Sequence, residues 1–480
     1  SKSLVIFWTE TWTGKFYKKI TTCYFSSKDY RRFNDAGNQN NYYTETDVVL
    51  IGFFGRANLT FNEKYLVTLS YRRDGTSRFS EDNRWGNFPA AAIAWKIKDE
   101  SFLKDSKTFS DLKLRAGWGI TGQQDLGASR FDYLSTMSTG QPGNDYMFGG
   151  EPINPGFPNY TNPDLKWEET TTYNVGIDYG FWNNRITGAL DFFYKQSDDL
   201  LARAPVPDGS NFSNVGSQNI GAFTSQGVEF AINAALYQGD GFNWDINFNA
   251  THFNTNIDKL AAGIDIEVGG VGSGTGGTIQ VHSEGFTPYS YFVYKQLYDT
   301  AGAPIEGAYA DINRDGIITA ADRYIYKNPD PEAVLGFASN MSYKNFDFSF
   351  NLRASIGNHL YNAVNAGNAQ YDNIESTQVV ANLPTAVLDS NFNTTSDVLF
   401  SDYYIENASF LKMDNITLGY TFSKIFNDKA TLRLSTGMQN VFVITEYSGL
   451  DPEVFGGIDN TIYPRPRTIY LVPTLNFKKK

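Results

Sequence analysis

The sequence predicts an all-β protein, a transmembrane antiparallel β-barrel with short turns at one end and long loops at the other. Three observations predict it. Strands of about ten or more residues alternate apolar and polar side chains, a length that suits a tilted membrane crossing better than a globular strand. Tight turns take turns with long polar connections. Of 480 residues, 37 are Phe and 30 are Tyr, aromatics make up 16 %, and Gly contributes 43, a composition that suits strands and membrane interfaces.

The pattern is clearest in KWEETTTYNVGIDYGFWNNRITGALDFFYKQ, residues 166–196. Tyr173, Val175, Ile177, Tyr179 and Phe181 share one face, and Thr172, Asn174, Gly176, Asp178 and Gly180 the other. After Trp182-Asn183-Asn184 the parity switches, so that Ile186, Gly188, Leu190, Phe192 and Tyr194 oppose Arg185, Thr187, Ala189 and Asp191. This spacing predicts a hairpin with an Asn-rich turn. Its expected arrangement puts Val175, Ile177, Leu190 and Phe192 toward lipid, and Asn174, Asp178, Thr187 and Asp191 toward a wet lumen.

Similar hairpins recur on either side of Asn62-Glu63-Lys64, Gln238-Gly239-Asp240-Gly241 and Lys344-Asn345, and again from Ile416 to Met438. The count comes to about fourteen strands. Between hairpins lie the polar stretches 123–166, 198–223, 255–287 and 358–403, longer than the connections of compact soluble domains. They are expected as structureless external loops. One helical turn is expected at Asp99–Leu103. Pro473 is expected to weaken pairing locally in the last strand, Thr468–Phe477, because proline donates no ladder hydrogen bond.

No apolar run reaches the roughly 18 residues of a transmembrane helix. A mean hydropathy of −0.37 does not exclude a membrane barrel, where only alternate residues need be apolar. A net charge of −12 argues against nucleic acid as a partner. The single cysteine, Cys23, is read as a small buried hydrophobe. The chain opens on Ser1 with no signal peptide, an opening expected of processing or truncation.

The sharpest local motif is the loop from Asp311 to Asp322. Asp311, Asn313, Asp315 and Asp322 stand at positions 1, 3, 5 and 12, Gly316 at the sharp turn and the Ile317 carbonyl at position 7, the ligand spacing of an EF-hand calcium loop. A structural calcium ion is expected there, against the alternative of a metal-free turn. The glycine-rich run Gly269–Gly277 lacks the Lys-Ser/Thr of a phosphate loop and reads as a flexible loop. His252, His282 and His359 stand apart in the sequence and read as isolated residues. No nucleophile elbow or acid–base pair can be singled out, so no catalytic residue and no enzyme activity is expected.

Several segments in order resemble the SusC/RagA family of TonB-dependent outer-membrane transporters. They are Arg73–Phe79 (RDGTSRF), 110–127 (SDLKLRAGWGITGQQDLG), 162–201, 219–230 (NIGAFTSQGVEF), the DINRDGIITAADR loop, 406–422 (ENASFLKMDNITLGYTF) and 439–454 (QNVFVITEYSGLDPEV). The resemblance implies a 22-stranded barrel around a plug. Residues 47–477 correspond to the C-terminal part of the barrel, 1–46 to a poorly matching segment of barrel strand and loop, and 478–480 to a basic tail. The resemblance also implies an outer-membrane nutrient importer for oligosaccharides or peptides. A SusD-like surface lipoprotein would be its lid, and TonB-ExbB-ExbD would act through a plug-bearing part. The plug and remaining strands are expected from another chain or a missing N-terminal part. Substrate-contacting residues are not assigned. A self-contained passive pore of about fourteen strands and a β-rich surface adhesin are the alternatives.

Overall fold

The computed structural model describes residues 4–24, 38–127, 131–139, 146–153, 156–206, 215–260, 263–271, 277–374, 380, 382–394, 398–425, 429–460 and 463–477. The basic tail Lys478–Lys480, the centre of the glycine run, residues 25–37 and the side chain of Cys23 lie outside the described residues.

Fourteen strands follow one another in a single sheet, each beside its neighbour in sequence. They are β1 Leu4–Tyr24, β2 Asn38–Phe61, β3 Tyr65–Thr76, β4 Trp85–Lys96, β5 Phe109–Gln123, β6 Glu168–Phe181 and β7 Ile186–Asp198. Then come β8 Ala222–Gly239, β9 Phe242–Lys259, β10 Ala333–Tyr343, β11 Phe346–Ile356, β12 Phe410–Ile425, β13 Ala430–Thr445 and β14 Thr468–Phe477. Residues of the poorly matching N-terminal segment pair residue for residue, from Leu4 with Asn58 to Tyr24 with Asn38. The strands are long: β8 and β9 have 18 residues each, β12 and β13 have 16 each.

Contacts gather the chain into two compact units, residues 1–93, 118–171 and 197–220 in one, and 94–117, 172–196 and 221–480 in the other. In the second unit the hairpin of β6 and β7 turns on Trp182, Asn183 and Asn184, all left-handed with φ of 50, 56 and 61°, a conformation that asparagine tolerates better than most residues. Two faces result. Tyr173, Val175, Ile177 and Phe192 stand exposed on one side, with Val175 at 50 % and Phe192 at 53 %. On the other, Arg115 donates to Asp178 at 2.9 Å and to Asp191 at 2.9 Å, and Lys113 lies 2.6 Å from Asp178. Gly176 leaves room for these groups: a Cβ there would sit 2.1 Å from a carboxylate oxygen of Asp191 and make that side chain shift.

The outward apolar face recurs strand after strand, at Phe346 on β11, Leu418 on β12, Leu434 on β13 and Ile469 and Leu471 on β14. In the first unit, Ile51, Phe53, Leu69 and Ile93 do the same. Water would penalise so extensive an apolar surface, and lipid would not.

The register of β13 with β14 passes through the Leu434–Pro473 pair without a shift. Three expectations need correction. The turn near Asp99 is a 3-10 turn over Ile97–Asp99, and short helices occur at Ala363–Asn368 and Val387–Ser390. The long connections are not structureless. Within them, Leu201–Pro205 pairs with Val215–Asn219, and small sheets assemble from Ile266–Gly270, Thr278–His282, Ser290–Tyr294 and Arg323–Ile325, and from His359–Asn362, Ile405–Asn407 and Ile458–Asp459.

Candidate functional site

The connections of the second unit have their own hydrophobic core, which is what lets them hold a shape. Ile279, Tyr291, Val293, Tyr361, Phe392, Val398 and Tyr404 are buried together. The polar ends of the tyrosines are satisfied inside it. Tyr291 donates to the carbonyls of His359 at 2.9 Å and Gly457 at 2.7 Å, and Tyr404 accepts from Gln370 at 3.0 Å.

Against this core lies a cleft of about 560 Å³ lined by Asn362, Val364 and Asn365, by Pro384–Ala386 and Asp389, and by Ser448–Leu450, Asp459, Tyr463 and Pro464. Val364, Pro384, Leu450 and Tyr463 give it apolar walls, and Asn365, Asp389, Ser448 and Asp459 supply polar groups. Ser448 is fixed in place, donating to Glu406 at 2.8 Å and accepting from Asn362 at 3.0 Å. Apolar walls with a few placed polar groups are the usual make-up of a ligand site.

One wall of the cleft is the connection between β13 and β14, and an ion network ties it to the strands. Glu453 accepts from Arg353 of β11 at 2.8 Å, from Lys412 of β12 at 2.8 Å and from Arg465 at 3.0 Å. Arg353 also binds Asp414, and Arg465 reaches Asp451 at 3.1 Å. Lys412 is only 5 % exposed, and Glu453 is its ion-pair partner at 2.8 Å. Burial works against an ionised Glu453, but the hydrogen bonds from Arg353 and Lys412 outweigh it and hold its carboxyl below the usual range.

In the first unit, two of the motifs singled out in the sequence turn out to be partners. Arg78, 7 % exposed, donates to Asp125 at 2.6 Å and to the Gln124 carbonyl at 3.3 Å, and Thr76 donates to Gln124 at 2.8 Å. Phe79, Phe88, Leu126, Leu165 and Trp167 pack around them.

The Asp311–Asp322 loop folds on its own backbone. Asp311 accepts from the amides of Arg314 at 2.6 Å and Gly316 at 2.8 Å, Asn313 from Asp315 at 2.9 Å, and Asp315 from Ile317 at 2.9 Å. Asp322 is buried and takes amides from both ends of the loop, Ile312 at 2.9 Å and Thr319 at 2.8 Å. These bonds, that from Thr319 first, hold its carboxyl below the usual range. Among the described residues no three His, Cys, Asp or Glu side chains gather as a metal-holding group. The histidines differ from their expected isolation: His252 and His359 line one cavity, while His282 stacks edge-on with Tyr289.

A fourteen-stranded sheet with an apolar outer face, a charged inner face and folded external connections defines a membrane-spanning β-barrel protein. Residues 5–441 match the family described as TonB dependent receptor-like, beta-barrel. The chain belongs to that family, whose members are β-barrels of the bacterial outer membrane, a family of transporters rather than enzymes. It is 43 % identical over 439 residues to the TonB-dependent receptor SusC of Bacteroides thetaiotaomicron, covering 89 % of this chain and 44 % of that protein. It is 30 % identical to TonB-dependent receptor P3 of Formosa agariphila, over 91 % of this chain and 46 % of that protein. The chain thus spans about half the length of the curated relatives it matches. Among solved structures, the RagAB peptide importer in its closed-closed state shares the fold with a TM-score of 0.77 at 20 % identity, over 99 % of this chain and 53 % of that one. The SusC/RagA resemblance read from the sequence is borne out.

Glu453→Gln should free the connection between β13 and β14. Leaving Lys412 without its anionic partner costs roughly 3 kcal/mol, so amide exchange over 446–467 should accelerate about a hundredfold. The same acceleration should appear in the unaltered protein on acidification. A carboxyl held below its ordinary range stabilises the docked state above that range, and the stabilisation is lost as pH falls through the lowered value. Exchange unchanged in the variant would show that the network does not hold the loop.

Proposed function

We propose that the chain is the C-terminal barrel portion of a SusC-type importer and takes no part in catalysis. It takes up oligosaccharides or peptides across the outer membrane, driven through TonB, with a SusD-like surface lipoprotein as its lid. The observation that carries this reading is the loop-built cleft at Asn365, Ser448 and Tyr463, held on a scaffold whose outer face is apolar. Specificity placed on connections over a rigid sheet is the common arrangement for binding proteins. The 43 % identity to SusC supports the class, and the peptide importer RagAB, similar in fold, supports peptides beside glycans as cargo. Cells carrying the whole protein should accumulate a labelled oligosaccharide or oligopeptide, lose that uptake when TonB is removed, and yield a lipoprotein on purification of the complex. Uptake indifferent to TonB would favour a passive pore, and a surface phenotype without uptake would favour an adhesin.

A second proposal concerns the Asp311–Asp322 loop. It holds calcium through Asp311, Asn313, Asp315, the Ile317 carbonyl and Asp322, stiffening an external connection. The ligand spacing supports this, as does Gly316, whose φ of +86° makes the sharp turn such loops need. Calcium against chelator should raise the unfolding temperature of the unaltered protein by about 2–4 °C, and Asp315→Asn should abolish the difference. An unchanged temperature would make the loop a turn only.

A further inference from the structure

We propose that the cavity between His252, Asp330, Glu332 and His359 is a subsite for a protonated primary amine carried by the cargo, a deepening that rests on the import reading above. The chain has only three histidines in 480 residues, and two of them line this space of about 470 Å³. They come from different elements, His252 from β9 and His359 from the small sheet that follows β11.

Each imidazole is held by its Nδ1. That of His252 lies 2.6 Å from the Glu332 carbonyl, and that of His359 lies 3.0 Å from the Gly357 carbonyl. A carbonyl only accepts, so Nδ1 carries the proton in both rings, and a neutral ring then offers Nε2 as an acceptor. Burial, followed by the charge of Lys327, pushes His359 down from its ordinary value, which favours the neutral ring. The second histidine therefore stands as an acceptor at physiological pH.

The two carboxylates of the lining ask for the same thing. Among the described residues, neither Asp330 nor Glu332 receives a hydrogen bond on its carboxylate, although the Asp330 amide donates to Asn328 at 3.1 Å. Burial pushes the Asp330 carboxyl up, as expected of a carboxylate short of donors. The one cation of the lining, Lys327, rests over the ring of Tyr326 at 5.7 Å. Lys327 set against Asp330 and Glu332 leaves the charged side chains of the lining at one net negative charge, and the two carboxylates keep their acceptor capacity. An ammonium, with three donors, no acceptor and a positive charge, is the complement. Tyr326 and its apolar neighbours in the lining suit the aliphatic stem that carries it.

The test is direct binding to the purified full chain in detergent, which does not depend on transport. Propylamine at pH 7.5 is titrated while the ring protons of His252 and His359 are followed by NMR, with propanol as the uncharged control. The result expected is a saturable shift of both rings by propylamine and none by propanol. Glu332→Gln and, separately, Asp330→Asn should weaken it about tenfold each, the loss of one charge-assisted hydrogen bond. Heat-modifiable gel migration checks that each variant is folded. Glucosamine against N-acetylglucosamine, and a lysine-bearing dipeptide against its acetylated form, then separate an amino sugar from a peptide amine as the source. Equal shifts by propanol, or variants that bind propylamine as tightly as the parent, would overturn the proposal. So would shifts produced by zinc alone. Any of these outcomes would leave the import reading untouched, whereas TonB-independent uptake would sink that reading and leave the amine site standing.

Discussion

The constraint on which the structure depends is that hydrocarbon offers the backbone no hydrogen-bond partner. Every amide and carbonyl at membrane depth must be paired within the protein, and long antiparallel strands do this by pairing with their neighbours. The side chains then have only two directions to take, and alternation sends them there. The parity switch at Trp182-Asn183-Asn184, the ion pairs of Arg115 with Asp178 and Asp191, and the exposed Val175 and Phe192 all follow from that one requirement.

Once the strands are fixed, the connections are free to specialise. Those of the second unit bury a tyrosine-rich core, and the one between β13 and β14 is tied to the strands by charged groups. Glu453 shows why charge suits the task. A single carboxylate gathers Arg353, Lys412 and Arg465, which come from two strands and the far end of its own loop. A salt-bridged hub of this kind fixes geometry more than it adds stability, and geometry is what the cleft beside it requires.

The strands were legible in the sequence because their information is local. Period-two alternation and an Asn-rich turn lie within a few residues of each other, as in 166–196. The architecture of the connections was not legible, because its pairings are distant: Tyr361 pairs with Ile405 on one side and, in parallel, with Ile458 on the other. The cavity of His252 and His359 escaped for the same reason, since nothing near either residue marks the other. The Asp311–Asp322 motif was visible by spacing. Spacing alone did not show that Asp322 also accepts the amides of Ile312 and Thr319. Pro473 was visible in the sequence as a residue without a ladder donor, and its strand keeps register with β13 through that position.

The central claim is that the two faces of each strand meet different solvents. Nitroxide labels at Val175 and at Asp178, read by power-saturation EPR in lipid bilayers, test it most directly. The label at Val175 should be relaxed by oxygen dissolved in the bilayer, and the label at Asp178 by a water-soluble nickel chelate. Equal accessibility of the two sites to both agents would contradict the membrane-spanning assignment of this hairpin.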